Sequence, residues 1–250
     1  MTRIPVAVQL WSVHNECKRD MAAVLRAVAE MGYDGVEFAG YYDHTAEELR
    51  AMLDDLGLRA AGTHIGRGTL TGEALPATIE FNRTLGNRWL VIPGLPREDT
   101  ADRDSLLATA AFFNEVAERL APHDMLIGSH QHGGEMDALP DGEIRWDAFC
   151  AATGPGVIVQ PDTGNALVEG AHVAPFIERH PDRIPTVHLK EHSATKEEVL
   201  IGEGDVHWDD VFRACRAAGT EWYIVEQETY PYPPLESVDR SLRNLRNMGL

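Results

Sequence analysis

The 250-residue sequence predicts a single α/β domain folded as a (β/α)₈ TIM barrel. Three observations carry that expectation. Strand-like and helix-like segments alternate from end to end, eight candidate strands can be counted, and the length matches one such barrel. Hydrophobic residues make up 44% of the chain and charged residues 25%, enough apolar material to bury a large core without disulfides. No linker or shift in composition marks a second domain, so one barrel is expected over residues 1–250.

The candidate strands are short apolar runs, each closed by a polar residue: Ile4–Leu10, Gly35–Phe38, Leu58–His64, Trp89–Pro93, Met125–His130, Val157–Asp162, Ile184–Leu189 and Trp222–Glu226. Near-continuous apolar runs are what parallel strands covered on both faces require. The helices between them show a 3.6-residue period. Met21, Val24, Leu25 and Val28 make one apolar face, ended by Gly32. Thr45-Ala-Glu-Glu48 reads as a capping box, followed by Leu49, Met52, Leu53 and Leu56 and closed by Gly57. Leu106, Ala110, Phe113, Ala117 and Leu120 line a third helix, and the last helices fall in Trp208–Ala218 and Leu235–Asn247. No Gly-x-Gly-x-x-Gly follows the first strand, which argues against an open dinucleotide-binding sheet.

Charge and cysteine usage exclude several classes of function. Forty acidic and 22 basic residues give a net charge of −18, with no Lys/Arg cluster, so a nucleic-acid partner is not expected. Such acidity otherwise implies solubility or a salt-adapted host. Cys17, Cys150 and Cys215 are odd in number, far apart and without metal-ligand spacing, which fits a reducing cytoplasm. The sequence enters a strand-like run at once and holds no membrane-length apolar stretch, so no membrane partner is expected either.

In a (β/α)₈ barrel the active site collects at the C-terminal ends of the strands. Those ends carry Gln9, Glu37, His64, His130 with His132, Asp162, His188 with Lys190, and Glu226 with Glu228; only the fourth, Pro93-Gly94, offers no such group. Glu135 lies in the loop after the fifth strand. Charged groups converging on a barrel centre are costly to desolvate unless paired or coordinated. A single divalent ion (Mn²⁺, Zn²⁺, Co²⁺ or Mg²⁺) resolves that cost, because carboxylates and neutral imidazoles are its ligands. Among the remaining residues, Trp11 and Phe38 read as pocket wall or core, and Tyr41 and Tyr42 as either a sugar-facing pair or exposed loop residues. Gly202-Glu203-Gly204 lacks the Lys and Ser/Thr of a phosphate loop and is acidic, so Glu203 reads as a loop-shaping or mouth residue.

Seven motifs then appear in order at the expected strand ends. They are Val8-Gln-Leu-Trp-Ser-Val13, Met31-Gly-Tyr-Asp-Gly-Val-Glu-Phe38, Gly128-Ser-His-Gln-His132, Gln160-Pro-Asp-Thr-Gly-Asn165, His188-Leu-Lys-Glu191, Ile201-Gly-Glu-Gly-Asp205 and Trp222-Tyr-Ile-Val-Glu-Gln-Glu228. With these the chain resembles the sugar phosphate isomerase/epimerase family of xylose isomerase-like barrels. The resemblance implies one divalent metal held by Glu, Asp, His and Glu from strands five to eight. Asp162, His188 and Glu226 match that pattern directly. The first ligand departs from it: His130-Gln-His132 stands where many members have Glu-x-His, so His130 takes the ligand position and Glu135 competes for it. A ligating His130 cannot serve as the strand-five proton-transfer base, and His132 becomes the natural substitute. A homo-oligomer is also implied, dimers and tetramers being common in the group, although no interface is legible in the sequence.

The expected chemistry is sugar isomerisation or epimerisation through an enediolate. His132 and Glu226 would be the acid/base pair, with Lys190 polarising the oxygen. Gln9, Glu37, His64 and Glu135, where the last is not a ligand, would bind the substrate. The absence of a basic cluster points to a non-phosphorylated sugar or cyclitol. A lyase or dehydratase acting on a keto-sugar, inosose or 3-keto-glycoside shares the same first step and is the rival reading. A related abasic-site endonuclease would need a three-metal site and a DNA-binding surface, against a charge of −18. A sugar-binding or scaffold barrel would not need four convergent ligands.

Overall fold

A computed structural model describes residues 3–250. Eight parallel strands form one sheet: β1 (Val6–Gln9), β2 (Gly35–Phe38), β3 (Arg59–His64), β4 (Trp89–Ile92), β5 (Leu126–His130), β6 (Val157–Gln160), β7 (Thr186–Leu189) and β8 (Trp222–Val225). Each lies within a predicted run. The predictions overshoot by a residue or two at some ends. The helices are α1 (His14–Met31), α2 (Ala46–Leu56), α3 (Ala74–Leu85), α4 (Arg103–Leu120), α5 (Arg145–Ala152), α6 (Thr163–Val168), α7 (Val173–Arg179), α8 (Trp208–Ala218) and α9 (Pro234–Asn247). None of the described helices is long and apolar enough to cross a membrane.

Local chemistry explains the elements that frame the site. The Thr45 capping box of α2 is formed, with both reciprocal hydrogen bonds present. Asp20 is extended inside α1 and its carboxylate accepts from the Ala23 amide, so the helix restarts there and its apolar face begins at Met21. Gly32, Gly57, Gly86 and Gly219 end four helices in the left-handed conformation.

The sheet order is β6-β5-β4-β3-β2-β1-β8-β7, and the barrel closes where β6 meets β7. That seam is thin. It has one bridge, between Asp162 and His188, and the His188 amide donates to the Pro161 carbonyl at 2.9 Å. Thr163 stitches it further, its hydroxyl lying 2.6 Å from the Lys190 carbonyl and 2.9 Å from the Lys190 amide.

Side-chain alternation sorts the strands into two surfaces. Val8, Val36, Val157, Val159, Val187, Tyr223 and Val225 face the helices and join the main core. Ala7, Ala61, Trp89, Ile158, Trp222 and Ile224 point inward and form a separate apolar plug. One irregularity matters for function. Between β2 and β3 the register slips, pairing Val36 with Ala60 but Glu37 with Gly62. This β-bulge at Ala61 shifts the alternation by one, so Thr63 bonds outward to Tyr41 while His64 faces the lumen.

Candidate metal centre

The upper lumen is polar where the lower is plugged. One ligand-type atom from each of His130, Asp162, His188 and Glu226 lies within 4.8 Å of every other, and all four residues are buried. They come from the ends of β5, β6, β7 and β8, that is, from four strands consecutive in sequence. His188 Nδ1 lies 3.2 Å from Glu226 Oε2 and 3.8 Å from Asp162 Oδ2. Ligands around an ion with bonds of about 2.0–2.2 Å stand at comparable separations.

Each side chain is held by its local sequence. Asp162 caps α6: its Oδ1 accepts from the Asn165 amide at 2.7 Å, which leaves Oδ2 aimed at the cluster. The Asp162 amide in turn donates to Gln131 Oε1 at 3.2 Å, and Asn165 Nδ2 donates to the Gln131 carbonyl at 2.8 Å. His188 touches carboxylates at both ring nitrogens, with Nε2 2.6 Å from Glu37 Oε2. Lys190 closes the far side, paired with Glu228, 3.1 Å from Asn165 Oδ1 and 3.8 Å from Glu226.

The electrostatics follow from burying several ionisable groups side by side. Burial, with His188 and His64 beside it, holds His130 well below its ordinary pKa, so its ring is neutral and carries a lone pair. Burial pushes Asp162 up to about 7, against the pull of Lys190 and with Glu226 adding to the rise. Burial opposes charge on His188, but Glu37 and Glu226 outweigh it and raise the imidazole to about 10. For Glu226 burial is again outweighed, by His188 and Lys190, and its carboxyl stays well below the usual range. His130 Nδ1 and Asp162 Oδ2 are buried without any hydrogen-bond partner. Two orphaned donor atoms of the right type, facing a cluster with two further ligands, fit a divalent ion of the Zn²⁺, Mn²⁺ or Co²⁺ kind. A metal held there would need His188 Nδ1, the nitrogen facing Asp162 and Glu226, without its proton.

Above the cluster opens a cavity of about 420 Å³, lined by Trp11, Ala39, Gly40, His64, Pro93, His130, His132, Glu226 and Glu228. Trp11 is 47% exposed on the rim and stacks on His14. The cavity thus receives His64 and His132 from the predicted set, together with the candidate ligands His130 and Glu226. Gln9, Glu37 and Glu135 are elsewhere. Gln9 and Glu37 are fully buried beneath the cavity, bonded to each other at 2.6 Å, so substrate contact gives way to support of the groups above them. Glu135 turns back into its own loop, where its Oε2 accepts from the Gly133 amide at 2.7 Å, and burial raises its pKa to about 7. It does not join the four-residue cluster. Lys190 is fully engaged by Glu228 and Asn165, and lies beside the cavity rather than on its wall.

Several contributing residues escaped the strand-end reading. Gln160 donates to Glu37 at 2.8 Å and to Thr186 at 3.0 Å, and its Oε1 lies 2.9 Å from His64 Nε2. It stands two residues before Asp162 on the same face of β6, so alternation could have found it. Gln131 and Asn165 stand in the motifs at the ends of strands five and six, but their contact with each other spans 34 residues and left no mark in the sequence. Tyr41 is packed on Phe81 and bonded to Thr63, away from the cavity. The loop at Gly202 does cradle an anion, but an internal one: Glu191 accepts from the amides of Gly202 and Val206 and from the Trp208 indole. Glu203 is exposed and accepts from the Leu200 amide, a loop-shaping contact.

With fold and site in view, comparison with known proteins gives the family. The chain matches the xylose isomerase-like TIM barrel family over residues 25–248 and belongs to it. Inosose dehydratase from Geobacillus kaustophilus (strain HTA426) is 26% identical over 190 residues, 67% of this chain but only 61% of that relative's length. A sugar phosphate isomerase/epimerase from Parabacteroides distasonis ATCC 8503 superposes with a TM-score of 0.82 at 22% identity, covering 98% of this chain and 97% of the other. The IOLI protein, solved with a zinc atom bound, gives 0.77 at 13% identity, covering 97% of both chains. At these identities the two structures establish the fold alone.

Proposed function

We propose that this protein is a divalent-metal-dependent sugar isomerase or epimerase that works by proton transfer through an enediolate. The observation that carries the reading is the convergence of His130, Asp162, His188 and Glu226 beneath a cavity also lined by His132. The bound ion would supply Lewis acidity for the oxyanion that forms when a proton leaves carbon. His132, free of ligand duty, takes a proton from the carbon beside the substrate carbonyl, and the electron pair moves onto the carbonyl oxygen. Returning the proton to the former carbonyl carbon, while the hydroxyl proton passes to the former carbonyl oxygen, isomerises the sugar; returning it to the same carbon from the opposite face epimerises it. Glu226, across the cavity, is the second acid/base group. His188 and, behind it, Lys190 keep Glu226 ionised against its burial. His64 and Trp11 hold the substrate, His64 by hydrogen bonding and Trp11 as an apolar rim.

No Lys or Arg lines the cavity, which supports a non-phosphorylated sugar or cyclitol. The three cysteines are free and buried, which supports a cytoplasmic setting. The likeness to an inosose dehydratase favours one alternative. There the same enediolate expels a β-hydroxyl, which leaves with a proton as water.

Incubating keto-sugars and inososes with the metal-loaded enzyme in deuterated water, followed by NMR, separates these outcomes. Deuterium incorporated at carbon with the carbon skeleton and hydroxyls intact supports isomerisation or epimerisation. A water-loss product assigns the lyase reaction instead. Metal analysis accompanies it: negligible metal in the wild type, or content unchanged in both His188→Ala and Glu226→Ala, sinks the metal reading.

A further inference from the structure

We propose that Glu37 is the positioning residue of the metal centre: its carboxylate holds the proton on His188 Nε2 and so commits Nδ1 to the ion. The inference rests on the metal reading above and assigns Glu37 a part in it other than substrate contact. His188 Nε2 and Glu37 Oε2 are 2.6 Å apart and fully buried, while Nδ1 points at Glu226 and Asp162. A ligating imidazole has one lone pair to give, and the partner of its other nitrogen decides which atom gives it. Glu37 also has no competing duty at the cavity surface, since it lies beneath the cavity wall.

The surroundings are built to keep that carboxylate ionised and in place. Gln9 Nε2 donates to Oε2 at 2.6 Å and Gln160 Nε2 donates to Oε1 at 2.8 Å, with His64 Nε2 3.2 Å from Oε2. These partners arise from β1, β6 and β3, so three strands brace a side chain from a fourth. The backbone makes room as well. The bulge between β2 and β3 brings Gly62, at φ +154°, opposite Glu37, and a Cβ there would stand 2.6 Å from Glu37 Oε1. A side chain at position 62 would occupy the space that the carboxylate needs. The same bulge turns His64 inward to meet Glu37 and Gln160.

Zinc affinity is measured by competition with a chromophoric chelator on wild type, Glu37→Gln, Glu37→Asp and Gly62→Ala, with metal-free melting temperatures recorded in parallel. Glu37→Gln keeps the shape and loses the charge, and its zinc Kd should rise about ten- to hundred-fold. Glu37→Asp should fall between it and the wild type. Gly62→Ala should weaken zinc in the same direction without altering any carboxylate, which keeps the idea testable if Glu37→Gln folds poorly. In zinc-loaded, ¹⁵N-histidine-labelled protein the His188 Nε2–H resonance, identified by its loss in His188→Gln, should lie far downfield and move upfield in Glu37→Gln. A residue that only supports the fold would lower the melting temperature and leave that resonance unmoved. Zinc binding by the wild type with Kd changes within about two-fold in Glu37→Gln and Gly62→Ala overturns this inference alone. No zinc binding by the wild type overturns the metal reading as well.

Discussion

The two ends of the barrel lumen are made by the same strands and have opposite chemistry. At the N-terminal end Ala7, Ala61, Trp89, Ile158, Trp222 and Ile224 form a dry plug. One or two turns of the alternation later, the inward positions are Gln9, Glu37, His64, His130, Gln160, Asp162, His188 and Glu226. All of these residues except the partly buried His64 are buried, but the energetic sense of that burial is reversed between the two ends. Apolar burial at the plug is favourable by about 25 cal/mol per Å². At the mouth each buried charge must find a partner, and the partners found there leave ligand atoms of His130 and Asp162 unmatched. The plug therefore holds the barrel together, and the mouth is held by it.

If that division is right, substitutions at the two ends should separate stability from metal-dependent activity. The largest effect is expected at the mouth. Glu226→Ala or His188→Ala should remove bound metal and with it turnover, a loss of about 10³-fold or more where an ion stabilises the developing charge. Metal analysis and a proton-exchange assay check this, and activity above about a tenth of wild type would contradict it. Next comes the plug. Trp222→Ala empties a space against which Arg59 stacks at 4.5 Å, and should destabilise the protein by about 3–5 kcal/mol in urea unfolding. While folded, that variant should still bind metal with the wild-type stoichiometry. Loss of metal from a fully folded Trp222→Ala protein would merge the two regions into one.

A smaller effect tests a buried acid at the margin of the mouth. Glu135 has its folded-state pKa raised from 4.5 to about 7. Below about 4.5 the proton is held in both states; between 4.5 and 7 the unfolded chain gives it up and the folded chain resists. Stability from this group is therefore present at low pH and lost as pH rises through about 7, by about 3 kcal/mol. Glu135→Gln should flatten that part of the stability curve, as read by denaturant titration at pH 4.5, 6 and 8. An unchanged slope would show that the Glu135 carboxyl ionises freely. The smallest effect lies outside both ends. Thr45→Ala removes the cap of α2 and should cost about 1 kcal/mol while leaving metal binding untouched.

The eight strands and five of the nine helices were legible because their signals are local, while α3, α5, α6 and α7 went unmarked. Apolar runs, the Thr45 capping box and the helix-ending glycines each act within a few residues, and the structure places strands within all eight predicted runs. The strand-end rule also reached Asp162, His188 and Glu226, since a strand in a barrel can deliver its last inward residue only to the mouth. Choosing between His130 and Glu135 lay beyond it. Both lie near the end of β5, and the path of the loop turns Glu135 to the Gly133 amide.

What the sequence determined by itself is the alternation: eight apolar strand runs and the order of their polar endings. What only the tertiary structure decided is which inward residues meet. Glu37 reads in sequence like any other strand-end carboxylate. It lies under the cavity, 2.6 Å from His188, opposite a bulge on β3 that Gly62 marks as a site without placing its register. That same one-residue slip turns His64 from the helix side to the lumen. Alternation has a period of two along one strand, whereas register is a relation between two strands, so a shift that reverses a face is invisible until both are paired.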